Sequence, residues 1–135
     1  MPKLAKVLVV DDDTTSTFLT SHLLNRLAVT EHLLVAHNGV EAFQALQQLG
    51  GEATEVAGPV LVLLDVNMPV MNGADFLETY QQHLRAQQQQ LVVVVLTSSE
   101  QCRNLDRIKA LQVAADILPK PLTREKVAYI LDRHF

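Results

Sequence analysis

The sequence predicts an α/β fold, a doubly wound sheet of five parallel strands with five helices over its two faces. Three observations carry that prediction. The first is VLVLLDVNMPVMNG, where five aliphatic residues, Val60 to Leu64, run without interruption into Asp65. A strand with one wet face alternates apolar and polar residues, so an unbroken branched run reads as a parallel strand covered on both sides. The second is that other runs end the same way. KVLVVDDD puts Asp11, Asp12 and Asp13 after Val7 to Val10, LVVVVLTSS puts Thr97, Ser98 and Ser99 after Leu91 to Leu96, and AADILPKP delivers Lys120 between two prolines. The third is that helix-period segments separate these runs. They give five strand–helix units in 135 residues, with nothing left over for a second domain or an output domain.

Taken in order, Lys6 to Val10 is the first strand. TTSTFLTSHLLNRL follows as a helix that Thr14 or Thr15 can cap, with Leu19, Leu23 and Leu27 four apart and Phe18 and Leu24 widening the stripe. Glu31 to Ala36 is the second strand, polar at its start and so nearer an edge. Helix two begins at Asn38 or Gly39, turns Phe43, Leu46 and Leu49 inward, and is stopped by Gly50 and Gly51. Glu52 to Pro59 is the one long loop. Strand three then leads to a helix from Gly73 to Leu84, with Leu77, Tyr80 and Leu84 on one face. The glutamines 87–90 read as a solvated connector. Leu91 to Leu96 is strand four, Arg103 to Leu111 helix four and Val113 to Leu118 a short strand five. Thr123 can cap a last helix through His134, with Val127, Ile130 and Leu131 buried.

Composition narrows the function classes. With 48% hydrophobic residues the chain can fill a core, and a net charge of -4 without a Lys/Arg cluster argues against nucleic acid. The single cysteine, Cys102, excludes an intramolecular disulfide and fits a reducing compartment. The start, MPKLAK, followed by only four strongly apolar residues, is neither a signal peptide nor a membrane span, so a cytoplasmic protein is the expectation.

Open α/β sheets place ligands at the carboxyl ends of their strands, and here those ends carry acids, hydroxyls and an ammonium. One or two of Asp11, Asp12 and Asp13 can join Asp65 in a hard-cation site, since Mg²⁺ prefers oxygen ligands. The bland alternative is that these acids favour a helix start. Three carboxylates without a cation would repel one another, and Lys120 is the natural counterweight. Thr97 can instead cap helix four, as can Ser98 or Ser99. Histidines 22, 32, 37, 83 and 134 show no metal-ligand spacing, and there is no phosphate-binding glycine loop and no nucleophile elbow.

Asp11-Asp12 after strand one, Asp65 in LLDVNMPVMNG, Thr97-Ser98 after strand four and Lys120-Pro121 after strand five together resemble the receiver domain of bacterial two-component response regulators, from Lys6 to the last helix. The resemblance implies a flavodoxin-like sheet of order 2-1-3-4-5. It implies that Asp65 accepts a phosphoryl group from a phosphohistidine on a sensor histidine kinase or a histidine phosphotransfer protein. It implies a Mg²⁺ ion held by Asp12 directly, Asp11 mainly through water, Asp65, and the backbone carbonyl of Asn67. Thr97 takes the place of the switch hydroxyl and Lys120 that of the phosphoryl-binding lysine. Small Ser98 leaves access to the acyl phosphate, and Asn67 and Ser99 flank the route of a hydrolytic water without supplying a strong base, so self-dephosphorylation should be slow. Asp13 matches no family position and reads as a helix-start acid. The family's aromatic three residues before the lysine is Ile117 here, and VAAD lacks a glycine often found in that segment.

The ending KPLTREKVAYILDRHF is similar to single-domain regulators of the Bacteroidetes. The implied function is a stand-alone phosphoacceptor signalling by protein contact, through a face made of helix four, strand five and helix five, as a monomer or weak dimer. A phosphorelay intermediate and a pseudo-receiver that only binds proteins are the alternatives. An aspartyl phosphohydrolase would commonly carry an acid two residues after its nucleophile, where this chain has Asn67, so no enzyme acting on an external substrate is expected.

Overall fold

The computed structural model describes residue 4 and residues 6–51, 60–65, 73–79, 91–97, 108–110 and 114–135. The strands are β1 (Lys6–Val10), β2 (Leu33–Ala36), β3 (Val60–Asp65), β4 (Leu91–Thr97) and β5 (Asp116–Pro119). They form one five-stranded sheet in the order β2-β1-β3-β4-β5, and every pairing is parallel. The helices are α1 (Thr14–Leu27), α2 (Gly39–Gly51), α3 (Gly73–Thr79), α4, of which residues 108–110 are described, and α5 (Arg124–His134).

The unbroken aliphatic runs are explained by two apolar layers. Leu8, Val10, Val62, Leu64, Val93 and Val95 face one side, where Ala42 of α2, Phe76 and Leu77 of α3 and Ile108 of α4 cover them. Val7, Val9, Leu61, Leu63, Val94 and Leu96 face the other, under Leu24 of α1 and Val127, Ile130 and Leu131 of α5. Successive side chains of a strand point to opposite faces, so only a sheet covered twice demands apolar residues at every position. All six residues of β3 are buried.

Several elements depart from the sequence reading in a physically informative way. The cap of α1 is Asp13, not Thr14 or Thr15. Asp13 is extended (φ -83, ψ 114) and its carboxylate accepts from the Thr15 and Ser16 N–H groups. The phase of α1 also differs from the leucine stripe. Phe18 and Leu19 are 67% and 60% exposed, while Thr17, Thr20 and Leu24 are buried. The Thr17 hydroxyl donates to the Asp11 carbonyl at 3.4 Å, which ties the first turn to the end of β1 and satisfies this hydroxyl in its buried position. Leu23 and Leu27 remain partly packed on the core. The helix ends at Ala28 in a left-handed conformation (φ 52, ψ 41), whose N–H bonds the Asn25 and Leu24 carbonyls.

β2 begins at Leu33 rather than Glu31, because the preceding turn is closed by the His32 N–H donating to the Thr30 hydroxyl at 3.1 Å. It is an edge strand, as its polar start suggests. Asn38 caps α2 by accepting from the Glu41 N–H at 2.9 Å, and Glu41 reaches back to the His37 N–H at 3.2 Å. This reciprocal arrangement satisfies donors at the helix start. The helix runs through Gly51, while the side chains of Leu46 and Leu49 lie outside the described residues. β5 begins at Asp116 and extends to Pro119, later than Val113 to Leu118 would give. Thr123 caps α5 as expected, accepting from the Lys126 N–H. Outside the described residues lie the expected loop 52–59, Tyr80 and Leu84, the glutamines 87–90 and most of helix four. Among the described residues no helix is long and apolar enough to cross a membrane.

Candidate functional site

Register builds the site. Val10 pairs with Leu64, so Asp11 emerges beside Asp65 at the carboxyl ends of β1 and β3. Asp65 pairs with Leu96, which places Thr97 one residue further along β4, and Thr97 in turn pairs with Pro119. The Lys120 N–H then donates to the Thr97 carbonyl at 2.8 Å, fixing the lysine backbone against the end of β4. Asp11, Asp65 and Thr97 are 4%, 5% and 8% exposed. Four strands that end together in the core thus bring Asp11, Asp12, Asp65, Thr97 and Lys120 to one edge.

The Lys120 ammonium lies 3.1 Å from Asp65 Oδ1 and 3.3 Å from Asp11 Oδ2. Asp11 Oδ1 meanwhile accepts from the Asp13 N–H at 2.9 Å, so both Asp11 oxygens are engaged. Burial pushes the Asp11 carboxyl up, but the Asp13 N–H, the Ser16 side chain and the Lys120 charge outweigh it and hold the group below its ordinary value. Burial likewise pulls Lys120 down, yet the charges of Asp65 and Asp11 more than offset that, and its ammonium is held above its ordinary value. Asp11, Asp12 and Asp65 each offer a carboxylate oxygen within 4.8 Å of the others. Three carboxylates facing one ammonium leave two negative charges, and a hard divalent cation matches both that charge and the all-oxygen donor set. The cluster can hold a metal ion.

The expected set is therefore brought together where the chain is described. Asn67, Ser98 and Ser99 lie outside the described residues. Asp13 is committed to capping α1 and stands apart from the acidic cluster. Two features had no signal in the sequence. Lys126 of α5 donates to the Pro119 and Pro121 carbonyls at 2.6 and 2.7 Å, on either side of Lys120. His134 Nε2 lies 3.2 Å from Asp116 Oδ2, tying the end of α5 to the start of β5.

A family model described as the response regulator receiver domain matches residues 7–132. The chain belongs to that family. Its strand order and the acid-lined edge now have one explanation. The receiver is 37% identical over 127 residues to the transcriptional regulatory protein CpxR of Klebsiella pneumoniae, covering 93% of this chain but 47% of that protein. It therefore spans about half the length of this curated relative. A two component response regulator from Cytophaga hutchinsonii superposes with a TM-score of 0.82 at 24% identity, over 97% of this chain and 96% of the other. The Vibrio cholerae chemotaxis protein CheY4 superposes with a TM-score of 0.74 at 27% identity, over 98% and 99%. On the side of the receiver where α4 meets β5, Ile108, Lys109, Ala114, Ala115, Asp116 and Ile117 line an open cleft of about 480 Å³. Ile117 is half-buried there and packs on the α2–α4 layer of the core.

Proposed function

We propose that the chain is a phosphoacceptor: Asp65 takes a phosphoryl group from a phosphohistidine, and the modified protein signals by contact with another protein. The observation that carries this reading is the Lys120 ammonium, 3.1 Å from Asp65 at the end of a buried strand with two more acids beside it. Receivers interact with histidine kinases or phosphotransfer proteins, and the donor belongs to one of those classes.

In the transfer an Asp65 oxygen forms the new O–P bond as the P–N bond of the phosphohistidine breaks, and the leaving imidazole keeps the electron pair and takes up a proton. Such a step has little covalent chemistry for the protein to perform, so positioning and charge stabilisation dominate. β3 fixes the nucleophile rigidly, and Lys120 moves from its carboxylate partners to the incoming phosphoryl oxygens. Asp11, Asp12 and Asp65, with the Asn67 carbonyl, would hold Mg²⁺, which supplies further neutralisation of those oxygens when bound. Exposed Asp12 is better placed for direct ligation than Asp11, whose oxygens are already engaged. Phosphorylation adds charge and acceptor oxygens next to Thr97. With Ile117 in place of a ring, Thr97 carries the response toward α4, and the α4–β5–α5 face with its cleft is the contact surface.

Acetyl phosphate or beryllofluoride with Mg²⁺ should modify the native protein and leave Asp65→Asn untouched. A phosphoryl mass shift that persists in Asp65→Asn overturns the assignment of the acceptor.

A further inference from the structure

We infer that Lys126 is a positioning residue for the phosphoryl-binding lysine: its ammonium bridges the two carbonyls that flank Lys120 and thereby aims the Lys120 side chain at Asp65. A lysine side chain has four rotatable bonds, and the reach from a strand end to a carboxylate is set by where its backbone starts. Lys120 starts from a segment held at three points. Its own N–H is bonded to the Thr97 carbonyl at 2.8 Å, which anchors it to β4. The carbonyls of Pro119 before it and Pro121 after it both accept from Lys126 Nζ, at 2.6 and 2.7 Å. Neither proline has an N–H with which to fasten this segment itself. Lys126 in turn cannot drift, because it sits in the first turn of α5, where its own N–H donates to the capping Thr123 hydroxyl at 3.3 Å. Val127, the next residue, is 2% exposed in the core.

The arrangement is selective in its chemistry. Two carbonyl oxygens converging on one point need a donor with at least two N–H groups, and an ammonium supplies three. Charge-assisted bonds of this length are about twice as strong as neutral ones. Lys126 makes no contact with Asp65 or Asp11 among the interactions described, so its influence on the reaction runs through Lys120.

The rate part of the test rests on the phosphoacceptor reading of Asp65, while the structural part does not. The full chain is compared as wild type, Lys126→Met, which keeps length and loses the donors, and Lys126→Arg, which keeps them. Arg26→Met removes the same charge from an exposed site in the last turn of α1. With saturating acetyl phosphate and Mg²⁺, the labelling rate of Lys126→Met should fall about tenfold while the concentration for half-maximal rate stays put, as expected for a misplaced group. Lys126→Arg should recover most of that loss, and Arg26→Met should behave as wild type. In unphosphorylated protein the Lys120 side-chain methylene resonance, assigned by its disappearance in Lys120→Met, should move toward the position of an exposed lysine in Lys126→Met and stay in place in Lys126→Arg. Lys126→Ala, which also lacks the donors and favours the helix, serves if the Met variant does not fold. A wild-type rate with an unmoved Lys120 resonance in Lys126→Met overturns the inference, as does an equal loss in Arg26→Met. If wild type itself is not labelled, the phosphoacceptor reading fails, and the Lys120 resonance still decides the role of Lys126.

Discussion

Removing the Lys120 charge should expose how strained the acidic pocket is without it. Asp11 and Asp65 have side chains only 6% exposed, and Lys120, 25% exposed, is the cation between them. Deleting one partner of a buried ion pair costs about 3–5 kcal/mol. Water reaches the lysine side of this pair, so for Lys120→Met without divalent metal we expect a cost below that range, about 2–3 kcal/mol at pH 7. For a domain of this size that is a fall in Tm of roughly 6–12 °C. The pH dependence gives the mechanism its signature. In wild type the lowered Asp11 carboxyl contributes stability that is present above its unfolded value and lost as pH falls through its folded one. The raised Lys120 contributes stability that is present below its unfolded value and lost as pH rises through its folded one. Both contributions are complete at neutral pH. In Lys120→Met two carboxylates face each other, one of them binds a proton more readily than when unfolded, and stability is lost as pH rises through that raised value. The gap to wild type should therefore be largest at pH 7 and shrink toward pH 5. Mg²⁺ should close it by mass action and bind roughly tenfold tighter than to wild type, since no ammonium competes for the carboxylates. Urea titrations at both pH values, with EDTA and with Mg²⁺, measure all of this. Equal stability of the two proteins in EDTA at pH 7, or a gap that widens toward pH 5, refutes the reasoning.

Two further outcomes follow from the same charges and backbone. Asp12→Asn should raise Tm in EDTA by a few degrees while weakening Mg²⁺ binding at least tenfold, because it relieves a like-charge cluster that Lys120 only partly offsets; a lower Tm in calorimetry counts against the crowding. Ala28→Gly should stabilise the protein by about 0.5–1 kcal/mol, since a left-handed helix end (φ 52) carries a Cβ penalty that glycine lacks; denaturant melts showing a loss would mean that the alanine methyl is worth more in packing than the backbone relief.

Much of the site was legible because its residues end aliphatic runs. Asp65 after five buried aliphatics and Lys120 between prolines have few other reasons to stand there, and parallel register does the rest. The phase of α1 was not legible. A leucine count favours Leu19, but a threonine can bury its methyl while its hydroxyl bonds a carbonyl, and Thr17 does so to Asp11. The cap was misplaced by one or two residues for a related reason: Asp, Thr and Ser can each cap, and only the backbone conformation at Asp13 selects one. Lys126 left no trace because its partners are backbone carbonyls, which every residue has. The Asp116–His134 pair spans two elements 18 residues apart, and no local pattern announces it.

The backbone bond from the Lys120 N–H to the Thr97 carbonyl has a consequence for engineering. It makes the hydroxyl-bearing strand end and the cation-bearing loop a single part. A chimera that borrows the end of β4 from another receiver also replaces the anchor from which Lys120 reaches its carboxylates, even when the lysine itself is untouched. Exchange of signalling behaviour between receivers on this scaffold should therefore transplant the end of β4 and the segment from β5 through the first turn of α5 as one cassette. Grafting either piece alone should yield proteins that fold, bind metal and accept phosphate poorly.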